Sequence, residues 1–75
     1  MQLWKYLGKH VKVTTIYGST QLGIADIYHY AEDTASGIAA LTVALADGTL
    51  IDFDELEVAT IEIISSESPI MASAI

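Results

Sequence analysis

The chain has 75 residues, with ten acidic side chains against three lysines, no arginine and no cysteine, which gives a formal net charge of −7. This length limits the chain to one domain, and the lack of cysteine excludes disulfide staples and thiolate zinc sites. Because 52% of the residues are hydrophobic, the composition excludes an intrinsically disordered chain. Because so short a chain has a small core, we expect part of its apolar surface to be buried against another chain.

The first predicted element is a short α-helix over residues 2–7. Leu3, Trp4 and Leu7 recur at spacings of three and four residues, and Gly8 is suited to end the helix. Two helical turns are not stable alone in water, so we expect this apolar face to dock on the fold, with Trp4 as its anchor. The alternative is that Trp4 stacks on a base of a nucleic acid.

Apolar and polar residues alternate from residue 10 onward, which predicts strands. The five predicted strands lie near residues 10–17, 20–31, 38–46, 49–54 and 58–64. An open sheet would leave its edges bare, so we expect an all-β fold: a five-stranded, strongly bent antiparallel small barrel.

The first hairpin is expected to turn at Gly18-Ser19 with a two-residue loop, which pairs Val13 with Ile24. In the second predicted strand Asp26 interrupts the apolar face, and Gly23 is suited to a bend. A long, strongly bent second strand accounts for both residues.

The second hairpin is expected to have a three-residue loop at residues 46–48. That loop pairs Val43 with Ile51 and Leu41 with Phe53, so that one face is wholly apolar. A two-residue loop would mix core residues and aspartates on one face, because a slip of one residue exchanges the two faces.

The last predicted strand has apolar residues on both faces, which indicates that both faces are covered. Residues 1–64 are therefore expected to form the barrel with its helix, and residues 65–75 a C-terminal tail. Two interpretations of the apolar end of the tail stay open: a frayed terminus, or a segment that docks on a neighbouring subunit.

Three segments carry a resemblance to a known family: Gly8-Lys9-His10-Val11-Lys12-Val13, Gly23-Ile24-Ala25-Asp26, and residues 50–64. Their order and spacing after a short helix resemble the Sm-like (LSm) family of small β-barrels. Barrels of the Src-homology type share much of this rhythm, but the helix and the double-faced last strand favour the Sm-like family. The resemblance implies a homo-oligomeric ring in which the fourth strand of one subunit pairs with the fifth of the next. The expected interface residues are Ile51, Phe53, Val58, Ile61, Ile63 and Ile64.

The resemblance also implies nucleic-acid binding, from which this sequence departs. The family places Asp and Asn with an aromatic residue after the second strand, and Arg-Gly between the fourth and fifth strands. Here those places hold Tyr30-Ala31-Glu32-Asp33 and Asp52-Phe53-Asp54-Glu55. A net charge of −7 also repels phosphates. The remaining candidates for nucleic-acid binding are a basic rim of Lys5, Lys9 and Lys12 and a stacking side chain, Tyr30. The alternative is that the three lysines are simply solvated.

No set of residues predicts catalysis, a metal or a cofactor. Four clustered acids either bind a hard cation or line a solvated strand edge: Asp52, Asp54, Glu55 and Glu57. His29 either takes part in a metal site or proton relay with nearby carboxylates or is a surface histidine. No serine has a base at a spacing that indicates a nucleophile.

Two functions are therefore expected as alternatives. The first is a non-catalytic ring that acts as an interaction or scaffold module and meets a protein partner. The second is a divergent nucleic-acid-binding protein that uses the basic rim. The N-terminus lacks the long apolar core and cleavage site of a signal peptide, and no apolar run reaches the about 18 residues of a membrane span. We therefore expect a cytoplasmic location and no membrane partner.

Overall fold

The computed structural model describes residues 2–64, which form a single five-stranded antiparallel sheet. The elements in chain order are a 3₁₀ helix (Leu3–Tyr6), β1 (His10–Thr15), β2 (Thr20–His29), a second 3₁₀ helix (Ala31–Asp33), β3 (Ala40–Leu45), β4 (Leu50–Asp54) and β5 (Val58–Ile63). The strand order across the sheet is β4-β3-β2-β1-β5. The predicted all-β fold and its five strands are confirmed, with the strand ends shortened by up to two residues. The predictions for the tail lie outside the described residues.

One face of the sheet carries the core, because alternate residues of each strand point inward. The buried apolar residues that pack into one core cluster, contributed by the first 3₁₀ helix and all five strands, are Leu3, Val11, Val13, Ala25, Leu41, Val43, Phe53 and Val58. Five partly buried side chains pack around them: Tyr6, Tyr28, Leu45, Ile51 and Ile61. We call the opposite side of the sheet the outer face.

The N-terminal helix is a single 3₁₀ turn rather than the predicted α-helix. Gly8 ends it with a φ of +80°, and its N–H donates to the Ala25 carbonyl at 2.8 Å. So short a turn presents one side chain to the core, and that side chain is Leu3, which is fully buried. The prediction that Trp4 anchors the helix is wrong, since Trp4 is 51% exposed, and Leu7 is exposed as well.

The predicted second hairpin is confirmed. Val43 pairs with Ile51 and Leu41 with Phe53, as the three-residue loop requires. The loop is closed by the Leu45 N–H, which donates to the Thr49 carbonyl at 2.8 Å.

The predicted register of the first hairpin is wrong. Val13 pairs with Gln21 rather than with Ile24, because the loop consists of residues 16–18 rather than of the predicted residues 18–19, which moves the register by three residues. The shift exchanges the faces of β2. Leu22 and Ile24 therefore lie on the outer face, 55% and 41% exposed.

The predicted length of the second strand is confirmed, since β2 has ten residues, and the strand contains an irregularity. The ladder between β2 and β3 shifts between Ala25 and Ile27, so Asp26 is the extra residue of a bulge. At Gly23 the two strands approach so closely that a Cβ would meet the Ala44 carbonyl oxygen and lie 2.7 Å from the Val43 Cγ1. Glycine is thus required there by space.

Asp47 fixes the second hairpin loop and makes its stability depend on pH. Its Oδ1 accepts a hydrogen bond from the Thr49 N–H at 2.9 Å, and the hydrogen bonds from Thr49 lower the pKa of Asp47 below its usual 3.8. A lowered folded-state pKa contributes stability that is present above 3.8 and is lost as the pH falls through the folded value.

The Asp47→Ala variant is therefore expected to be less stable than the wild type at neutral pH, and the difference should shrink as the pH falls below 3.8. Urea midpoints of both proteins across this range measure the effect. Asp47→Asn, which keeps an acceptor oxygen but no charge, is the control for the shape of the turn. A difference between wild type and Asp47→Ala that is the same at all pH values would contradict the prediction.

Candidate interaction surfaces

The strand order leaves β4 and β5 at the two edges of the sheet. The Ile64 N–H, just after β5, donates to the His10 carbonyl at 2.9 Å. This hydrogen bond shows which residues of β5 direct their backbone groups toward β1. Because such residues alternate along an antiparallel ladder, Ile61 and Ile63 direct their backbone groups to the open side. Their N–H and C=O groups are available to another strand.

The open side of β4 follows from the same argument. The Glu55 N–H donates to the Ala39 carbonyl at 2.8 Å, so the ladder between β3 and β4 has a fixed alternation. Leu50, Asp52 and Asp54 occupy the positions that are not hydrogen-bonded to β3. The chain thus offers two edges of different sequence.

A tight turn holds the two edge strands in a fixed relation. The Asp54 N–H donates to Glu57 Oε1 at 3.0 Å, and the Glu57 N–H donates to Asp54 Oδ1 at 2.9 Å. This reciprocal pair resembles a helix capping box. Two of the four acids predicted as either a cation site or a solvated edge are thus used to shape the turn. Within residues 2–64, no group of three or more His, Asp or Glu side chains is placed to hold a metal ion.

The residues predicted for the interface differ in burial, and Ile64, just after β5, is half-buried. Phe53 and Val58 are buried in the chain's own core, so they support the edges from inside. Ile61 and Ile51 are partly buried against that core, and Ile63 is 54% exposed. Among the predicted interface residues, Ile63 is therefore the side chain most accessible to another chain.

The predicted basic rim is distributed over three short segments. Lys5 lies in the first 3₁₀ helix and Lys9 just before β1, and both are exposed. Lys12 lies within β1, and the residue directly across from it on β5 is Glu62, which has the opposite charge. Tyr30 is 59% exposed just after β2.

The Tyr30 ring meets the ring of Tyr28 edge to face, with centroids 5.0 Å apart and an interplanar angle of 88°. Tyr28 is partly buried against the core, so it holds one side of the exposed Tyr30 ring. The Tyr30 ring remains accessible for stacking.

A chain of hydrogen bonds crosses three strands on the outer face. The Thr42 hydroxyl donates to Asp52 Oδ1 at 2.5 Å and lies 2.7 Å from His29 Nε2. Since the hydroxyl has one proton, His29 must carry its proton on Nε2 and donate it to Thr42. The Thr42 hydroxyl is not accessible to a substrate, because the residue is only 4% exposed.

Replacing the central residue of this chain tests that arrangement. Thr42→Val keeps the shape but removes both hydrogen bonds, and we expect a loss of about 1 kcal/mol of unfolding free energy, since water reaches His29 and Asp52. Urea unfolding measures the loss. The Thr42→Ser variant keeps the hydroxyl and should retain most of the unfolding free energy that Thr42→Val loses. In the wild type, imidazole ¹⁵N chemical shifts should show the proton on Nε2 of His29. A proton on Nδ1 alone would contradict the assignment.

Comparisons of the chain with models of protein families, with curated proteins and with solved structures give no match. Among residues 2–64, no helix is long and apolar enough to cross a membrane. The function must therefore be argued from the surfaces themselves.

Proposed function

We propose that the protein is a non-catalytic interaction or scaffold module that assembles with copies of itself into an Sm-like ring. In this assembly β4 of one copy pairs with β5 of the next. The observation that carries the proposal is the pair of open edges, formed by two different strands at opposite ends of one sheet. Pairing of unlike edges is heterologous, and repeated heterologous pairing closes into a ring when the rotation between subunits permits.

The side chains at the edges favour this pairing over the alternatives. Asp52 and Asp54 lie on the open side of β4, so two β4 edges would bring like charges opposite each other. The open side of β5 carries Ile61 and Ile63 instead. A β4–β5 pair avoids the repulsion and covers apolar surface at Ile63 and at Leu50, which is 59% exposed.

The charge of the chain defines the partner of such a ring. Each subunit contributes a net charge of −7, and the ring multiplies it. A surface of this kind attracts basic proteins and repels nucleic acid. The proposed role is to present this acidic surface to a protein partner.

The native mass tests the assembly. We expect light scattering on a sizing column to give several subunits of 8.0 kDa each. The mass should not fall when salt is raised, because the pairing consists of backbone hydrogen bonds and apolar contacts rather than ion pairs. A mass of 8.0 kDa, that of a monomer, at every protein concentration measured would overturn the proposal.

A second candidate function is nucleic-acid binding through Lys5, Lys9, Lys12 and Tyr30. The exposed Tyr30 ring, supported by Tyr28, is the observation that favours it. Filter binding of single-stranded RNA at low and moderate salt separates the two functions. Binding with a steep salt dependence would favour this candidate, and no binding at low salt would exclude it.

A further inference from the structure

The outer face carries an apolar groove that crosses β1, β2 and β3. Ile24 pairs with His10 on one side and with Ala44 on the other, so these three residues form one row across the sheet. The groove has a volume of about 380 Å³, within the range of ligand-binding pockets. We call it the outer groove; its lining side chains are His10, Leu22, Ile24, Ala44, Ala46 and Ile64.

The outer groove leaves large aliphatic side chains in contact with water. Leu22 and Ile24 are exposed, although β2 is paired with a strand on both sides, so residues 2–64 cover these side chains only in part. Burial of apolar surface is worth about 25 cal/mol per Å², so a segment that covers these residues is stabilised. The segment must itself be apolar and narrow enough to lie across three strands.

We propose that the occupant of the outer groove is the C-terminal segment 70–75 of the same molecule. Its sequence is Ile-Met-Ala-Ser-Ala-Ile, which has no charged side chain. It follows Ile64, which itself lines the groove, after the polar linker Ser-Ser-Glu-Ser-Pro. In the proposed arrangement the aliphatic side chains of the segment would lie against Leu22 and Ile24, and the linker would stay in water.

The length of the linker permits this placement. Neighbouring strands are about 4.8 Å apart, so the outer groove is about 10 Å wide from β1 to β3. Five linker residues reach up to about 17 Å when extended. The segment is therefore held at a high effective concentration next to the groove.

The charge balance favours this segment over a second copy of the folded domain. Another copy would bring its own net charge of −7 against the same face. The segment covers the outer groove without that repulsion. This inference does not depend on the proposed ring, because the groove lies on the outer face and the ring uses the edges.

A spin label on the 75-residue chain tests the proposal. The chain has no cysteine, so Ser73→Cys creates a single labelling site within the segment. We expect the label to broaden the amide signals of Leu22, Ile24 and Ala44 in an ¹⁵N-labelled sample. The matched control is a label at Ser36→Cys, which precedes β3, at the opposite end of the β2–β3 pair from Leu22. This control label should leave the same signals unchanged.

Two further samples decide the outcome. Ile70→Asp, added to the chain labelled at Ser73→Cys, should restore the amide signals because it charges the segment. A mixture of labelled ¹⁴N chains and unlabelled ¹⁵N chains should show no broadening when the segment binds within its own molecule. Broadening in this mixture, broadening confined to other parts of the sheet, or no broadening at all would overturn the proposal. Each of these results is distinguishable from a failure of the ring, which is measured by mass.

Discussion

The Gly23→Ala variant is expected to lose about 2–3 kcal/mol of unfolding free energy, which is a large share of the stability of a domain of this size. The added Cβ would meet the Ala44 carbonyl oxygen and lie 2.7 Å from Val43 Cγ1. The carbonyl belongs to the backbone of β3, so relief requires β2 and β3 to separate. That separation disturbs the pairing of β2 with β3 and the buried side chains beneath it.

Urea unfolding of the purified variant measures this effect. Gly48→Ala is the control, because Gly48 has a φ of +91° but nothing lies within 4 Å of an added Cβ. It should show the strain of a left-handed residue, about 1 kcal/mol, without the steric conflict. The double variant Gly23→Ala with Val43→Ala should lose less than the two single losses combined, since it removes one of the clashing atoms. A Gly23→Ala protein as stable as the wild type would show that the two strands are not packed this closely.

The two hairpins show how far a sequence pattern determines register. In the second hairpin, the choice between loops was clear because aspartates alternate with core residues on β4, and a slip would have buried charge. In the first hairpin, Leu22 and Ile24 are apolar but lie on the outer face, so the hydrophobic pattern favoured the wrong register. The small residues Gly23 and Ala25 face the core instead, which the pattern does not indicate. Both loops nevertheless share two variable residues followed by Gly and then Ser or Thr.

The candidate surfaces were predictable to different degrees. That the last two strands are available for assembly was an expectation from the resemblance, and the strand order leaves them at the edges. The chain of His29, Thr42 and Asp52 was not predictable, because it depends on the register across three strands and on the bulge at Asp26. The outer groove was hidden for the same reason. It depends on the alignment of β1 with β2, which differs from the predicted alignment by three residues and so places Leu22 and Ile24 on the opposite face.

Loss of assembly is expected for Ile63→Pro with the fold of each subunit retained. The Ile63 N–H points to the open side of β5, so proline there removes no hydrogen bond to β1. The same N–H is one that β4 of the next copy would use. We therefore expect the mass in light scattering to fall to 8.0 kDa while the circular dichroism spectrum stays that of the wild type.

Two controls separate the backbone of β5 from its side chains. Ile63→Val keeps the N–H and most of the apolar surface, so it should assemble as the wild type does. Glu62→Pro removes an N–H at a position that is hydrogen-bonded to β1, and it should unfold the subunit itself. An Ile63→Pro protein that still assembles would mean that the contact between copies does not use the backbone of this edge. That result would overturn any β4–β5 pairing that includes the Ile63 N–H.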